Sequence, residues 1–258
     1  MKFYEYGKKN EATVVMIHGA FMSYEMLQPL ADELKKHYHV ILVSLPGHET
    51  KDEEEFTTIW NIAKRIETAL WMRGLGHIHC LYGLSVGGAV AMRILADQRM
   101  RIDTAIIDAG ITPRPLAQLP ARIRMAKEAS VALAVKKNPS LLYKTLPTRE
   151  YPKNMADKIY EVLQGMSFTT LKNMLYTIDN YYMPTVFPRI STKVQYWYGE
   201  EESEDRKRDF AFVNKYIPNI TFEKMPGMNH GQYVLSYPKE AAQKMEELME
   251  GTRKRINK

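Results

Sequence analysis

At 258 residues, 45% of them hydrophobic, the chain can bury the core of one large α/β domain or of two small ones. Its single cysteine, Cys80, excludes an intramolecular disulfide and any Cys-based zinc site, and reads instead as a small buried apolar residue. The net charge of +6 is accompanied by no nucleic-acid-binding motif and by no aromatics interleaved with the basic residues, so nucleic acid is not an expected partner. Met1 to Tyr6 hold no apolar signal segment and no run is long enough to span a bilayer. The expectation is a cytoplasmic protein without an integral membrane segment.

In chain order, residues 14–18 are predicted as a strand ending in His18-Gly19. Residues 24–37 follow as a helix, with Met26, Leu27, Leu30 and Leu34 at helical spacing. Residues 40–45 are a continuous apolar run, the pattern of a strand buried on both faces, and end at the turn Pro46-Gly47-His48. Residues 57–72 carry Ile59, Ile62, Ile66, Ala69 and Leu70 on a second helix. A strand at 77–82, a tight glycine-flanked turn, a helix at 89–96 and a strand at 104–108 come next. Strands separated by helices of this length form right-handed crossovers and a parallel sheet covered on both faces.

The alternation stops at Pro113. Up to Pro188 the pattern is helical, with the strongest helices at 122–137, 154–165 and 169–182, broken by eight prolines. Inserted between two core strands, this segment predicts a helical cap over the strand C-termini, where open α/β sheets bind ligands. The chain then divides into a core of residues 1–112 and 189–258 and a cap of residues 113–188. The cap holds eleven Lys/Arg against five Asp/Glu, which is the chain's entire positive excess. Two readings of that excess stand: a solvated helix face, or a patch that steers anionic substrates. After it, a strand at 194–198, a charged helix at 203–216, a strand at 220–225 and a closing helix at 239–254 resume the core pattern.

The chemistry-bearing motif is Gly83-Leu84-Ser85-Val86-Gly87-Gly88, a G-x-S-x-G between a predicted strand and a predicted helix. Glycines let strand and helix approach closely around a strained turn, and the turn sets the Ser85 hydroxyl at a helix N-terminus, whose amides favour developing negative charge. A serine hydroxyl barely ionises at neutral pH and needs a base. Among seven histidines, His230 in the turn Pro226-Gly227-Met228-Asn229-His230-Gly231 is the best placed.

Taken together, His18-Gly19, then Ser85, then an acidic run after the strand ending at Gly199, then His230, the order resembles that of the α/β-hydrolase family. The resemblance covers residues 3–110 and 190 to the end. It implies a doubly wound, mostly parallel sheet with an inserted cap, Ser85 as nucleophile and His230 as base. The family's acid commonly stands three residues beyond the strand-ending glycine, which selects Glu202. The usual residue there is Asp, and the run from Glu200 to Asp205 is crowded with carboxylates. Asp108, at the end of the preceding core strand, is the next alternative, and Asp205 the third. The resemblance also implies an oxyanion hole from the backbone N–H groups of Val86 and of Ala20 (or Phe21), with His18 organising that loop. A serine at the turn, rather than Asp or Cys, sets the chain apart from the dehalogenase, epoxide hydrolase and dienelactone hydrolase branches. The expected activity is hydrolysis of a small-to-medium carboxylic ester or thioester through a Ser-His-acid triad and an acyl-enzyme, with no metal or organic cofactor. Two alternatives remain: a carbon–carbon bond hydrolase using the same triad, and a non-catalytic small-molecule receptor of the same fold.

Overall fold

Runs of Val, Ile, Leu and Met become the central strands of one sheet because such residues suit a pleated surface that is buried on both sides. The computed structural model describes residues 1–50, 53–114, 118–145, 150–184, 191–217 and 219–256. Its strands are β1 (Lys2–Tyr6), β2 (Thr13–Ile17), β3 (His39–Ser44), β4 (His77–Leu84), β5 (Arg101–Asp108), β6 (Lys193–Gly199) and β7 (Thr221–Met225). They lie in the order β1-β3-β2-β4-β5-β6-β7. Every neighbouring pair is parallel except β1, which runs antiparallel to β3 at the edge. The sequence pattern does not reveal β1: its five residues mix aromatic with charged side chains and none is fully buried, as suits an edge strand.

The two-residue strand period sorts the core into two layers. Val15, Ile17, Ile41 and Val43 face α2 (Ile59–Met72), α3 (Val86–Asp97) and Val213 of α8 (Ser203–Tyr216). Val14, Met16, Val40 and Leu42 face the opposite layer, built from α1 (Gln28–Leu34) and α10 (Pro238–Ile256). The helix predicted over residues 24–37 is shorter than expected. A 3₁₀ turn at Tyr24–Leu27 precedes α1, because Pro29 lacks an N–H to donate and is accommodated only in a helix's first turn. A short helix α9 (Gln232–Ser236), between β7 and α10, was not evident in the sequence pattern.

Between β5 and β6 the chain forms α4 (Gln118–Lys137), α5 (Ser140–Thr145), α6 (Met155–Gly165) and α7 (Phe168–Asn180). α7 is tied to the core loop before α2. The Phe56 amide donates to Thr170 Oγ1 at 3.0 Å, the Asn173 amide donates to the Phe56 carbonyl at 2.9 Å, and the Ile59 amide donates to Thr177 Oγ1 at 3.3 Å. The expected boundary at residues 188–189 and the prolines at 115, 147 and 188 lie outside the described residues. No helix among the described residues is long and apolar enough to cross a membrane.

Candidate active site

β4 ends at Leu84 and α3 begins at Val86, so Ser85 alone makes the turn. Its backbone sits at φ 56°, ψ −112°, a region that costs a non-glycine residue about 1–3 kcal/mol. Surrounding bonds hold it there: the Ser85 amide donates to the Asp108 carbonyl at 2.8 Å, and its carbonyl accepts from Ala89 at 3.1 Å. Gly87 is required by proximity, since a Cβ there would collide with the backbone carbonyls of Ile17 and His18. Val86 is the first helical residue, and helix N-termini leave their first amides without intrahelical partners.

The loop after β2 packs against the same serine: a Cβ on Gly19 would lie 3.3 Å from Ser85 Cβ. His18, fully buried, fixes this loop. Its Nε2 accepts from the Leu45 amide at 3.0 Å, so its Nδ1 carries the proton and donates to the Gly19 carbonyl at 2.8 Å. Burial and the neighbouring His48 push its pKa down to about 3, keeping the ring neutral. Phe21, two residues on from Gly19, sits at φ 59°, a genuine outlier for a bulky side chain. His48, expected at a turn, proves fully buried, with its Nδ1 3.0 Å from the Pro46 carbonyl.

His230 lies in the loop between β7 and α9. Its Nδ1 is 2.8 Å from Glu202 Oε2. Glu202 occupies the 3₁₀ turn that follows β6, and among residues 200–205 it is the buried carboxylate. The two loops meet because β6 ends in Gly199, where a Cβ would collide with the Met228 and Asn229 carbonyls. Glu202 is fully engaged: Oε1 accepts from the Gly199 amide at 3.1 Å and Oε2 also faces Arg206 Nε at 3.1 Å. Burial would raise its carboxyl, but the hydrogen bond and charge of His230, the charge of Arg206 and the Gly199 amide outweigh that and hold it below the usual carboxylate range.

The two alternative acids are placed differently. Asp205 is exposed on the rim of the cavity described below. Asp108 is buried under the site, its Oδ2 accepting from Tyr82 Oη at 2.6 Å. Burial above all, with Glu202's charge, pushes Asp108 up to about 7, against the Tyr82 hydrogen bond and the charge of His230. Sequence reasoning missed Arg206, Asp209 and Tyr151. Arg206 bridges Glu202 to Asp209 (Nη1 to Oδ2, 3.0 Å), and Asp209 accepts from both the amide and the hydroxyl of Thr112. The four-residue spacing from Glu202 to Arg206 on a helix was the available signal. Tyr151, from the inserted segment, donates to the His230 carbonyl at 2.7 Å.

Ser85, His230 and Glu202 line one cavity of about 580 Å³, together with Ala20, Phe21 and Tyr151. Its volume is that of an ordinary small-molecule site. A second group of potential ligands, His77, His79 and Asp103, sits at the opposite end of β4 and β5, with donor atoms within 4.8 Å of one another. These side chains already hold partners: His77 Nε2 is 2.8 Å from Asp103 Oδ2, and the Thr13 amide donates to His79 Nδ1 at 3.1 Å.

Comparisons with known proteins bear on the fold and the family. The fold is shared with an alpha/beta hydrolase family protein from Desulfitobacterium hafniense (16% identity, 96% of this chain and 100% of that one, TM-score 0.78). It is shared too with MenH from S. aureus (19% identity, 98% of each chain, TM-score 0.73). A thermophilic esterase from Thermogutta terrifontis is similar as well (19% identity, 97% of this chain and 93% of that one, TM-score 0.71). No curated protein matches the sequence. The model of the Alpha/beta hydrolase family matches residues 14–244, nearly the whole length, and the chain belongs to that family.

Proposed function

We propose that the protein is a serine hydrolase of small-to-medium carboxylic esters or thioesters, with residues 113–188 as the cap over its site. What carries this reading is the 2.8 Å contact between Glu202 and His230 Nδ1, on a histidine that shares one cavity with a serine held at a strained turn. The esterase among the similar structures points the same way.

With Nδ1–H donating to Glu202, the lone pair of His230 Nε2 is free to act as base. Ser85 Oγ attacks the ester carbonyl carbon while Nε2 takes its proton. The carbonyl electrons move onto oxygen, where the Val86 and Ala20 amides receive the charge, each worth about 3–4 kcal/mol of barrier. Collapse of this intermediate breaks the carbon–oxygen or carbon–sulfur bond, and the imidazolium protonates the leaving group. Water, deprotonated by the same imidazole, then attacks the acyl-Ser85 ester, releasing the carboxylic acid and restoring the serine. Glu202 keeps its charge throughout and stabilises the imidazolium.

Time-resolved labelling with a fluorophosphonate, followed by turnover of chromogenic esters, tests the reading. Stoichiometric labelling of Ser85 and ester turnover are expected. A chain that neither labels nor turns over ester is a receptor of this fold, and labelling without ester turnover favours carbon–carbon cleavage.

A further inference from the structure

A second chamber of about 590 Å³ lies among the inserted helices, lined by Val131, Ala132 and Val135 of α4, Leu163 of α6 and Leu175 of α7. Three residues, Phe21, Leu142 and Ile159, line both it and the cavity around Ser85. The two spaces therefore adjoin at these apolar side chains, referred to below as the neck, with Phe21 as the core's contribution to it. The charged side chains of the outer chamber belong to its solvent edge. Arg124 and Glu128 are paired at 2.9 Å with side chains 40% and 36% exposed, and Lys127 is exposed.

The lining of the first cavity suggests how a substrate lies in it. Its polar members go with His230: Asn229 precedes it in the chain, and Glu201, Asp205 and Arg206 flank or follow its partner Glu202, polar groups suited to the departing alcohol or thiol, which His230 must protonate. Of its apolar members, Phe21 follows Ala20, whose amide would bind the carbonyl oxygen, and with Leu142 and Ile159 it is shared with the second chamber. An acyl group whose carbonyl sits at Ala20 and Val86 thus has its chain directed at the neck. Phe21 holds its ring there from a backbone at φ 59°, a strained conformation of the kind that persists where the surrounding structure imposes it.

We infer that the chamber under α4 is the acyl subsite of this enzyme, and that its substrates carry a medium-length acyl chain that passes Phe21 into the cap. This rests on the serine-hydrolase reading and names its substrate class. Each methylene transferred from water into an apolar chamber favours binding by roughly fourfold at best, so chain length should dominate selectivity until the chamber is full.

The test measures kcat/KM for 4-nitrophenyl acetate, butyrate, octanoate and decanoate with the wild-type protein, Ala132→Phe and Val131→Trp. Ala132 is buried against the chamber and Val131 is 59% exposed at its wall, so the second variant tests the same space with less demand on folding. The wild type is expected to prefer octanoate over acetate by tenfold or more. Both variants should lose at least tenfold on octanoate and decanoate while staying within twofold on acetate. Equal effects on all chain lengths, or none, overturn the subsite. Should no ester be turned over, calorimetric titration of the same proteins with decanoate separates the two proposals. Binding by the wild type that both variants lose upholds the chamber although the catalytic reading fails, and no binding by the wild type overturns both.

Discussion

Two helices of this molecule, α3 and α4, follow opposite rules. α3 has eleven of its twelve residues buried, enclosed by β2, β4, β5 and α2. α4 buries only Ala121, Ala129, Ala132 and Val135 of its twenty residues, and leaves Leu119, Ile123 and Val131 largely exposed. The first is specified by close packing around the elbow, where a methyl group too many meets backbone. The second joins the core only along a narrow stripe that includes Ala129, Ala132 and Val135, so its exposed side chains can change without unsettling the fold. On the proposed reading, reaction chemistry belongs to the crowded part and selection of substrate to the roomy part. That division can be broken by measurement.

The largest effects belong at the elbow. Ser85→Ala and His230→Ala should each lower kcat by about 10⁵–10⁶-fold with the melting temperature nearly unchanged, and the double variant should be no worse than either, since the pair acts as a unit. Multiplying effects in single-turnover kinetics would reassign the base. Glu202→Gln should cost about 10²–10⁴-fold, because it disturbs the imidazole tautomer and leaves its cation uncompensated. Glu200→Gln and Glu204→Gln should be nearly silent, as Glu204 meets Lys207 at the surface and Glu200 meets Lys224 and the Gly227 amide, neither of them the imidazole. Asp108→Asn proving more severe in kcat than Glu202→Gln would move the orienting role to β5.

Asp108 offers a separate reading through pH. Its carboxyl is raised to about 7 from an ordinary value near 3.8, so between those limits the folded protein retains a proton that the unfolded chain has lost. Stability therefore falls as pH rises through that window. Asp108→Asn removes the effect, and its stability relative to wild type should climb from pH 4 to 7 by an amount of order 1–4 kcal/mol and level off above. A difference independent of pH in urea melts would show that Asp108 ionises freely. In the same crowded region Gly87→Ala should cost about 1–3 kcal/mol or more through overpacking, whereas Ser130→Ala on α4 should stay within about 0.5 kcal/mol.

The smallest effect concerns charge on the inserted helices. Reversing Arg122, Arg124 and Lys127 to Glu should, at low salt, slow an anionic ester severalfold more than a neutral ester of equal length. The difference should fade as ionic strength shortens the screening distance to about 8 Å. Identical behaviour of the two esters would assign these side chains to a solvated face.

Much of the core was legible because its signals are local. Buried parallel strands show as continuous apolar runs, the elbow as glycines around Ser85, and the helices as repeats of Ile and Leu at helical spacing. β1 was not legible, since an edge strand pairs on one side and needs no apolar run, and neither was the split before α1, where Pro29 interrupts an otherwise helical pattern. The inserted segment was read as helices, yet α5 escaped. Six residues hold too few apolar positions to display a period.

From sequence alone came the identity and order of the chemical groups: His18-Gly19, Ser85, a run of acids and His230, each marked by its own neighbours in the chain. The family resemblance selects Glu202 by its spacing from Gly199, but the carboxylates themselves do not declare which reaches the imidazole, because Glu200, Glu201, Glu202, Glu204 and Asp205 are chemically alike until the chain folds. Burial of Glu202 and its approach to His230 arise only when the loops after β6 and β7 come together, with nothing but a hydrogen on Gly199 between them. The meeting of Phe21, Leu142 and Ile159 between the two cavities is likewise a product of tertiary structure. It joins residues more than a hundred positions apart, and no local pattern records a contact over that separation.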